Sequence, residues 1–367
     1  MSDLGIAKQV ISYGAPGTGK SKDVNDTART MPSENVIRTT FHPDSDYSTF
    51  VGAYKPTMVP SGNEKKISYE FVPQAFAKAY VQAWKKMAKP EADGKVAPVL
   101  LVIEEINRGD CAKVFGDLFQ LLDRRVADDG EKKAGFSEYP VLADSDLADY
   151  IRKELESDKD KLATNYPTVV ALEKLELILP PNLYIWATMN TSDQSLFPMD
   201  SAFKRRWDWK YVPIKDAKKD WKIVVGKDAQ KKEYVWWDFL LKINQVVEDV
   251  TSSEDKKLGY FFAKTPDGVI GEEMLVNKVF FFLWNDVFKD VVGESRLQLS
   301  VEGKERDLRF HHFFKDEDGT IDCDRVKAFL DKLGVHPPPP PAPEAGAEPD
   351  NTEHLAGQDG QAHEGEA

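Results

Sequence analysis

Apolar positions in the first two hundred residues come as short, nearly unbroken runs: "KQVISY" (8–13), "ENVIRTTF" (34–41), "VAPVLLVIEE" (96–105) and "LPPNLYIWATMN" (179–190). Runs of that kind predict strands buried on both faces, and the helical stretches between them predict crossover connections, so residues 1–212 are expected to form a parallel α/β sheet. The pattern loosens between about 123 and 180, where "DRRVADDGEKKAGFSEYP" and "SDLADYIRKELESDKDKLATNYP" predict an insertion with a hairpin or loop and a surface helix. From 213 to 335 the apolar residues recur every three and four positions, as in "WWDFLLKINQVVEDV" (236–250) and "NKVFFFLWNDVFKDVV" (277–292), which predicts a helical second domain. Five prolines at 337–341 end all helix, and the Pro/Ala/Gly/Glu-rich remainder, 336–367, is expected to be a disordered acidic tail.

The formal net charge is −13, of which the stretch after His336 carries seven acids and no Lys or Arg, leaving a mildly acidic body. Broad autonomous duplex binding, which needs several cations to displace phosphate counterions, is not expected of such a surface. The two cysteines, Cys111 and Cys323, form no CxxC pair, which excludes a zinc site or disulfide framework of the usual spacing. With no cationic leader and no apolar run long enough to span a bilayer, a cytoplasmic protein without membrane contact is expected.

The chemistry concentrates at the ends of the predicted strands. "GAPGTGKS" (Gly14, Ala15, Pro16, Gly17, Thr18, Gly19, Lys20, Ser21) lies between a strand and a predicted helix and fits G-x-x-x-x-G-K-[ST]. Small residues let backbone N–H groups wrap a phosphate, Lys20 reaches the β/γ oxygens, and Ser21 is the candidate Mg²⁺ ligand. "VLLVIEEINRGD" (99–110) is an apolar strand ending in two acids: Glu104 for the hydrated Mg²⁺, Glu105 to orient or deprotonate the attacking water. "YIWATMNTSDQS" (184–195) ends a third strand at the same sheet edge, where Asn190 is a candidate for the lytic water or γ-phosphate. In "DSAFKRRWDW" (200–209), Arg205 and Arg206 are equally compatible with a solvated helix end and with an arginine finger offered to a neighbouring subunit. "DEDGTIDCD" (316–324) misses the calcium-loop template, and no carboxylate-plus-lysine nuclease core is present, so DNA cleavage is not expected of this chain.

Together, "GAPGTGKS", "TTFHPDSDYSTFVGAYKP", "VIEEINRGDCAKVFGDLFQLLDR", "LPPNLYIWATMNTSDQS" and "PMDSAFKRRWDW" resemble the McrB-type branch of the AAA+ NTPases, motor subunits of modification-dependent restriction systems. The likeness runs through most of 8–212 and extends to "KLGYFFAK" (257–264). It implies a P-loop AAA+ core with a C-terminal helical lid, hydrolysis of GTP or ATP with Mg²⁺, a ring of self-associated subunits expected to be a hexamer, and an McrC-like endonuclease partner. By the same likeness Glu104 and Glu105 form the Walker B pair, Asn190 is sensor 1, Asp193 is the acid of the MNTxD element, and Arg205 and Arg206 fall at the finger position. Three residues depart from the family pattern: Glu104 stands where an Asp is usual, Ser192 replaces Ala, and Gln194 replaces Arg. Family members often carry a DNA-reading domain before the P-loop; here target recognition is expected in another polypeptide, in the 123–180 insertion or in the ring's pore. An ATP-driven protein remodeller of the dynein-related class and a nucleotide-gated scaffold without hydrolysis are the competing readings, and no base-reading motif separates GTP from ATP.

Overall fold

The computed structural model describes residues 7–61, 64–126, 134–166, 176–191, 197–289, 298–301, 304–315 and 318–338. In chain order the first part runs β1 (Gln9–Gly14), α1 (Lys20–Ala28), β2 (Val36–Thr40), α2 (Tyr47–Phe50), β3 (Gly52–Ser61), β4 (Glu64–Pro73), α3 (Ala75–Ala88), β5 (Val99–Glu104) and α4 (Cys111–Phe115). It continues with β6 (Val141–Leu142), α5 (Ser145–Leu155), α6 (Lys159–Asn165), β7 (Glu176–Leu177), β8 (Leu183–Asn190), α7 (Ser201–Lys204) and β9 (Asp208–Tyr211).

Five strands form a wholly parallel sheet in the order β2-β5-β8-β1-β9. The unbroken apolar runs of β1, β5 and β8 follow from this placement, because these central strands are covered on both faces, whereas β2, expected to be buried likewise, is the edge strand and stays half-buried or exposed along its length. Val10, Leu100, Val102, Tyr184 and Trp186 pack on one face with Val24 and Ala28 of α1. Ile11, Leu101, Ile103, Ile185 and Ala187 pack on the other with Phe76, Tyr80 and Trp84 of α3. Full burial of side chains of this size contributes roughly 1.5–3 kcal/mol each, which fixes the strand register and therefore which residues end together at the sheet's C-terminal edge.

The inserted segment is not a free surface helix. α5 buries Leu147, Ile151 and Leu155 in the core shared with α3, and its N-terminus is capped by Asp144, whose side chain accepts from Leu147 N. Lys85 of α3 and Lys89 just after it reach Glu154 at 2.6 Å and the buried Asp158 at 3.0 Å, tying the insertion to the main core. Arg124 donates to the carbonyls of Gly135, Leu179, Pro180 and Leu183, and burial lowers its pKa to about 9. A feature absent from the sequence reading is the two-stranded β3–β4 hairpin, on which Tyr54, Met58, Ile67 and Tyr69 stand exposed. Its strands carry prolines and charges among the apolar residues, which hides the usual period-two signal.

The second part contains β10 (Lys222–Val225), β11 (Lys232–Val235), α8 (Trp236–Thr251), β12 (Val269–Gly271), α9 (Glu272–Met274), β13 (Gln298–Val301), β14 (Lys304–Asp307) and α10 (Cys323–Lys332). α9 continues into π-helical turns at Leu275–Phe280 and Leu283–Val287. The helix predicted over 236–250 is present, and that over 277–292 is helical as far as Val287, with 290–292 outside the described residues, but a three-stranded sheet in the order β11-β10-β12 accompanies them. Strands of three or four residues flanked by lysines leave too short an apolar signature to be read in advance. Trp236, Phe239, Phe280, Phe313 and Phe329 form the centre of this second core. Phe280, Phe282, Trp284 and Phe288 of the aromatic run therefore serve as packing here, while Phe281 stands exposed. Cys111 and Cys323 are free thiols, and no helix among the described residues is long and apolar enough to cross a membrane.

Candidate functional site

The loop after β1 wraps back on itself because its glycines adopt conformations closed to other residues. Gly17 and Gly19 have φ of +79° and +97°, and Gly19 caps α1, leaving the helix's first N–H groups facing the loop. Lys20 is buried, and its ammonium donates to the carbonyl oxygens of Gly14 at 2.9 Å and Ala15 at 2.8 Å. Desolvation lowers its pKa to about 8, with Glu105's negative charge drawing it part of the way back up. Thr18 closes the turn by donating to Ala15 O at 3.0 Å.

Strand register brings the acids and the asparagine to this loop. Gly14 pairs with Asn190 across β1–β8, and Ile103 pairs with Ala187 across β5–β8, so β5 delivers Glu104 and Glu105 beside the end of β8. Ser21 Oγ donates to Glu104 Oε2 at 3.0 Å, and Thr188 Oγ1 donates to the same oxygen at 2.6 Å. The other carboxylate oxygen of Glu104, Oε1, receives Arg38 Nη1 at 3.3 Å. Asn190 Nδ2 donates to Glu105 Oε1 at 2.7 Å, and Glu105 N donates to Thr188 Oγ1 at 3.3 Å. Glu105 itself lies in the left-handed region, φ 53° and ψ 50°. For a glutamate that conformation costs on the order of 1 kcal/mol, held here by the hydrogen bonds on both sides of the turn. Asn107 steadies the end of β8 by donating to Asn190 O at 2.7 Å.

Lys20, Ser21, Glu104, Glu105 and Asn190 are therefore gathered at one sheet edge, although up to about 170 residues separate them in sequence. Asp193 lies outside the described residues. The two arginines part company. Arg206 is pinned within its own chain: Nε and Nη2 both donate to Asp123 Oδ2, at 3.0 and 2.7 Å, and the guanidinium lies 4.6 Å over the Phe119 ring. Its side chain is only 7% exposed, whereas Arg205, at the C-terminal end of α7, is exposed to solvent. Thr188, Arg38 and Asn107 were missed in the sequence, although Thr188 stands two residues before Asn190 on one strand, a spacing that puts both on the same face.

The second part of the chain closes over the loop. Gly259 N donates to Pro16 O and Phe261 N to Gly17 O, both at 2.8 Å. A Cβ on Gly17 would come 2.5 Å from Phe262 N, and one on Gly259 would come 2.3 Å from the Gly17 carbonyl carbon, so both approaches require glycine. The segment 258–262 thus touches the loop's backbone directly.

The parallel sheet, the glycine loop before α1 and the acid pair at the adjacent strand end define a P-loop nucleotide-binding protein. The chain belongs to the family described as AAA domain (dynein-related subfamily), whose sequence model matches residues 9–207. It is 34% identical over 308 residues to the type II restriction enzyme BsuMI component YdiS of Bacillus subtilis (strain 168), covering 77% of this chain and 80% of that protein. It is 26% identical over 289 residues to the type IV methyl-directed restriction enzyme EcoKMcrB subunit of Escherichia coli (strain K12), covering 75% of this chain. Of that second relative the matched region spans about half, 52%. The likeness to McrB-type AAA+ proteins drawn from the motifs is thereby supported over about three quarters of the chain, and the α/β AAA+ core is present as expected.

Proposed function

We propose that this chain is a Mg²⁺-dependent nucleoside-triphosphatase, acting on GTP or ATP, that serves as the ring-forming motor subunit of a restriction system and works with an McrC-like endonuclease subunit. The observation that carries the reading is the gathering at the end of one sheet of Lys20, held by the carbonyls of Gly14 and Ala15, with the hydrogen-bonded pairs Ser21–Glu104 and Asn190–Glu105. Two restriction-system relatives, each similar to this chain over about three quarters of its length, supply the biological context. DNA would then be met through the partner or the ring's pore.

The residues fit the metal they are expected to serve. Ser21 and Glu104 present two hard oxygens 3.0 Å apart beside the phosphate loop, and Mg²⁺ usually takes one or two such protein oxygens with substrate phosphates and waters completing its shell. When bound, Mg²⁺ would neutralise charge on the β/γ-phosphates.

In this scheme the loop's N–H groups cradle the phosphates, and Lys20 exchanges its two carbonyl partners for phosphate oxygens. Glu105 accepts a proton from the attacking water, and Asn190, already bonded to Glu105, fixes the carboxylate that does so. The turn at Glu105 leaves that carboxylate bonded to Asn190 and near enough to Lys20 for its charge to act on the lysine. Arg205, exposed at the end of α7, is the better candidate to reach a neighbouring subunit's γ-phosphate, because Arg206 is committed to Asp123. Asp193 would belong to the same nucleotide-facing edge. The chain is taken to divide at about residue 212 into nucleotide-binding and lid portions, with 336–367 as a tail. Phosphate release measured with all four NTPs, alone and with the endonuclease partner and DNA, tests the reading. Turnover lost in both Lys20→Ala and Glu105→Gln supports it, and turnover equal to wild type in both rejects it.

A further inference from the structure

Glu104 makes more contacts than a metal-site acid needs. Its Oε2 accepts from Ser21 and Thr188, and its Oε1 is occupied by the Arg38 guanidinium at 3.3 Å. Arg38 sits on β2, where Arg38 pairs with Val102 and Thr40 with Glu104, so Arg38 and Glu104 rise from adjacent parallel strands on the same face, two positions apart in register. This is the face covered by α1, whose first turn carries Lys20 and Ser21. Arg38 therefore approaches the phosphate loop's acid from the side opposite Asn190's strand. Both partners are partly shielded, the side chains being 38% and 22% exposed.

We propose that Arg38 is a positioning residue that stands in for the metal: it supplies the positive charge at Glu104 when no nucleotide is bound and has to be displaced for Mg²⁺ to enter. The inference rests on the reading of Ser21 and Glu104 as the metal site. Its chemistry is simple competition, because one carboxylate cannot give its full charge to a guanidinium and to the hydrated cation at once. Glu104 is one methylene longer than the Asp usual in the resembling family, a reach that lets it meet a side chain on β2 while staying bonded to Ser21 on α1. The consequence is that the empty site discriminates against free divalent metal, and metal enters together with the nucleotide that offers replacement ligands. Metal and nucleotide binding are thereby coupled through Arg38, and such coupling is reciprocal.

The test uses the full chain and Mn²⁺ alone as probe, followed by electron paramagnetic resonance, with binding that is lost in Glu104→Gln defining the site. Arg38→Gln should bind Mn²⁺ at that site about fivefold more tightly than wild type, the factor expected for loss of one partly shielded ion pair. Arg38→Lys, which keeps the charge, should remain within about twofold of wild type by the same reckoning. In EDTA, affinity for a slowly hydrolysed nucleoside-triphosphate analogue should be the same in wild type and Arg38→Gln. Unchanged or weaker Mn²⁺ binding in Arg38→Gln, with Glu104→Gln still defective, overturns the role given to Arg38 and leaves the metal site standing. A marked loss of nucleotide affinity in EDTA would make Arg38 a phosphate ligand and also overturn it. Mn²⁺ binding that survives Glu104→Gln, with or without nucleotide, would bring down the reading of the metal site and this inference with it.

Discussion

Lys20 offers a prediction whose sign and size both follow from the structure. Its buried ammonium donates to the carbonyls of Gly14 and Ala15, and desolvation lowers its pKa from 10.5 to about 8. Between those two pH values the unfolded chain holds the lysine proton and the folded chain has released it. More protons are bound in the unfolded state, so unfolding free energy rises with pH across this window. The slope approaches 1.36 kcal/mol per pH unit, which makes roughly 2 kcal/mol between pH 8 and 9.5. Lys20→Met removes the titrating group while filling its volume. The lost bonds to Gly14 and Ala15 add an offset that does not vary with pH. Urea unfolding of both proteins at half-unit steps from pH 7 to 9.5 isolates the effect, since all other titrations cancel in the difference. Wild type minus Lys20→Met should be level below pH 8 and climb by roughly 2 kcal/mol above it. A flat or falling difference would refute the buried, depressed lysine. A bound triphosphate restores an anionic partner, so nucleotide binding at pH 9 should take up a proton. Calorimetry in two buffers of different protonation heat reads that uptake directly.

Other expectations follow from single contacts. Glu105→Gln keeps a group able to meet Asn190, so it should bind nucleotide normally and lose about 10² to 10⁴ in turnover, measured as released phosphate. Arg206→Ala removes a nearly buried ion pair to Asp123 and should lower stability by about 2 kcal/mol in thermal unfolding. Arg205→Ala should leave the melting temperature unchanged yet cut turnover about a hundredfold or more in the assembled state, with activity partly recovered on mixing with Glu105→Gln subunits. Gly17→Ala forces a Cβ to within 2.5 Å of Phe262 N from a left-handed backbone, and should therefore speed hydrogen exchange at 258–264.

The elements that could be read in advance were those whose signal is local. The glycine loop, the acids ending β5 and the asparagine ending β8 each sit where an apolar run stops, and the strand run itself states that both faces are covered. What could not be read depended on register or distant docking. Thr188 and Arg38 reach Glu104 only because β8 and β2 flank β5, a neighbour relation set by sheet order rather than by spacing in the chain. The choice between Arg205 and Arg206 turned on Asp123, 83 residues away. The approach of Gly259 and Phe261 to Pro16 and Gly17 joins segments about 240 residues apart through main-chain atoms, which leave no side-chain pattern beyond the glycines. The β3–β4 hairpin escaped because a solvent-exposed ribbon need not keep one face apolar and the other polar.

The central claim is that one triphosphate is held by residues from three strand ends at once. Equilibrium titration of the full chain with radiolabelled, slowly hydrolysed GTP and ATP analogues, with Mg²⁺ present, tests it most directly in wild type, Lys20→Ala, Glu104→Gln and Glu105→Gln. Wild type and Glu105→Gln should bind one or both analogues saturably, Lys20→Ala should lose binding, and Glu104→Gln should lose the Mg²⁺ dependence. Absence of saturable binding in wild type, or binding by Lys20→Ala as tight as wild type, would contradict the claim.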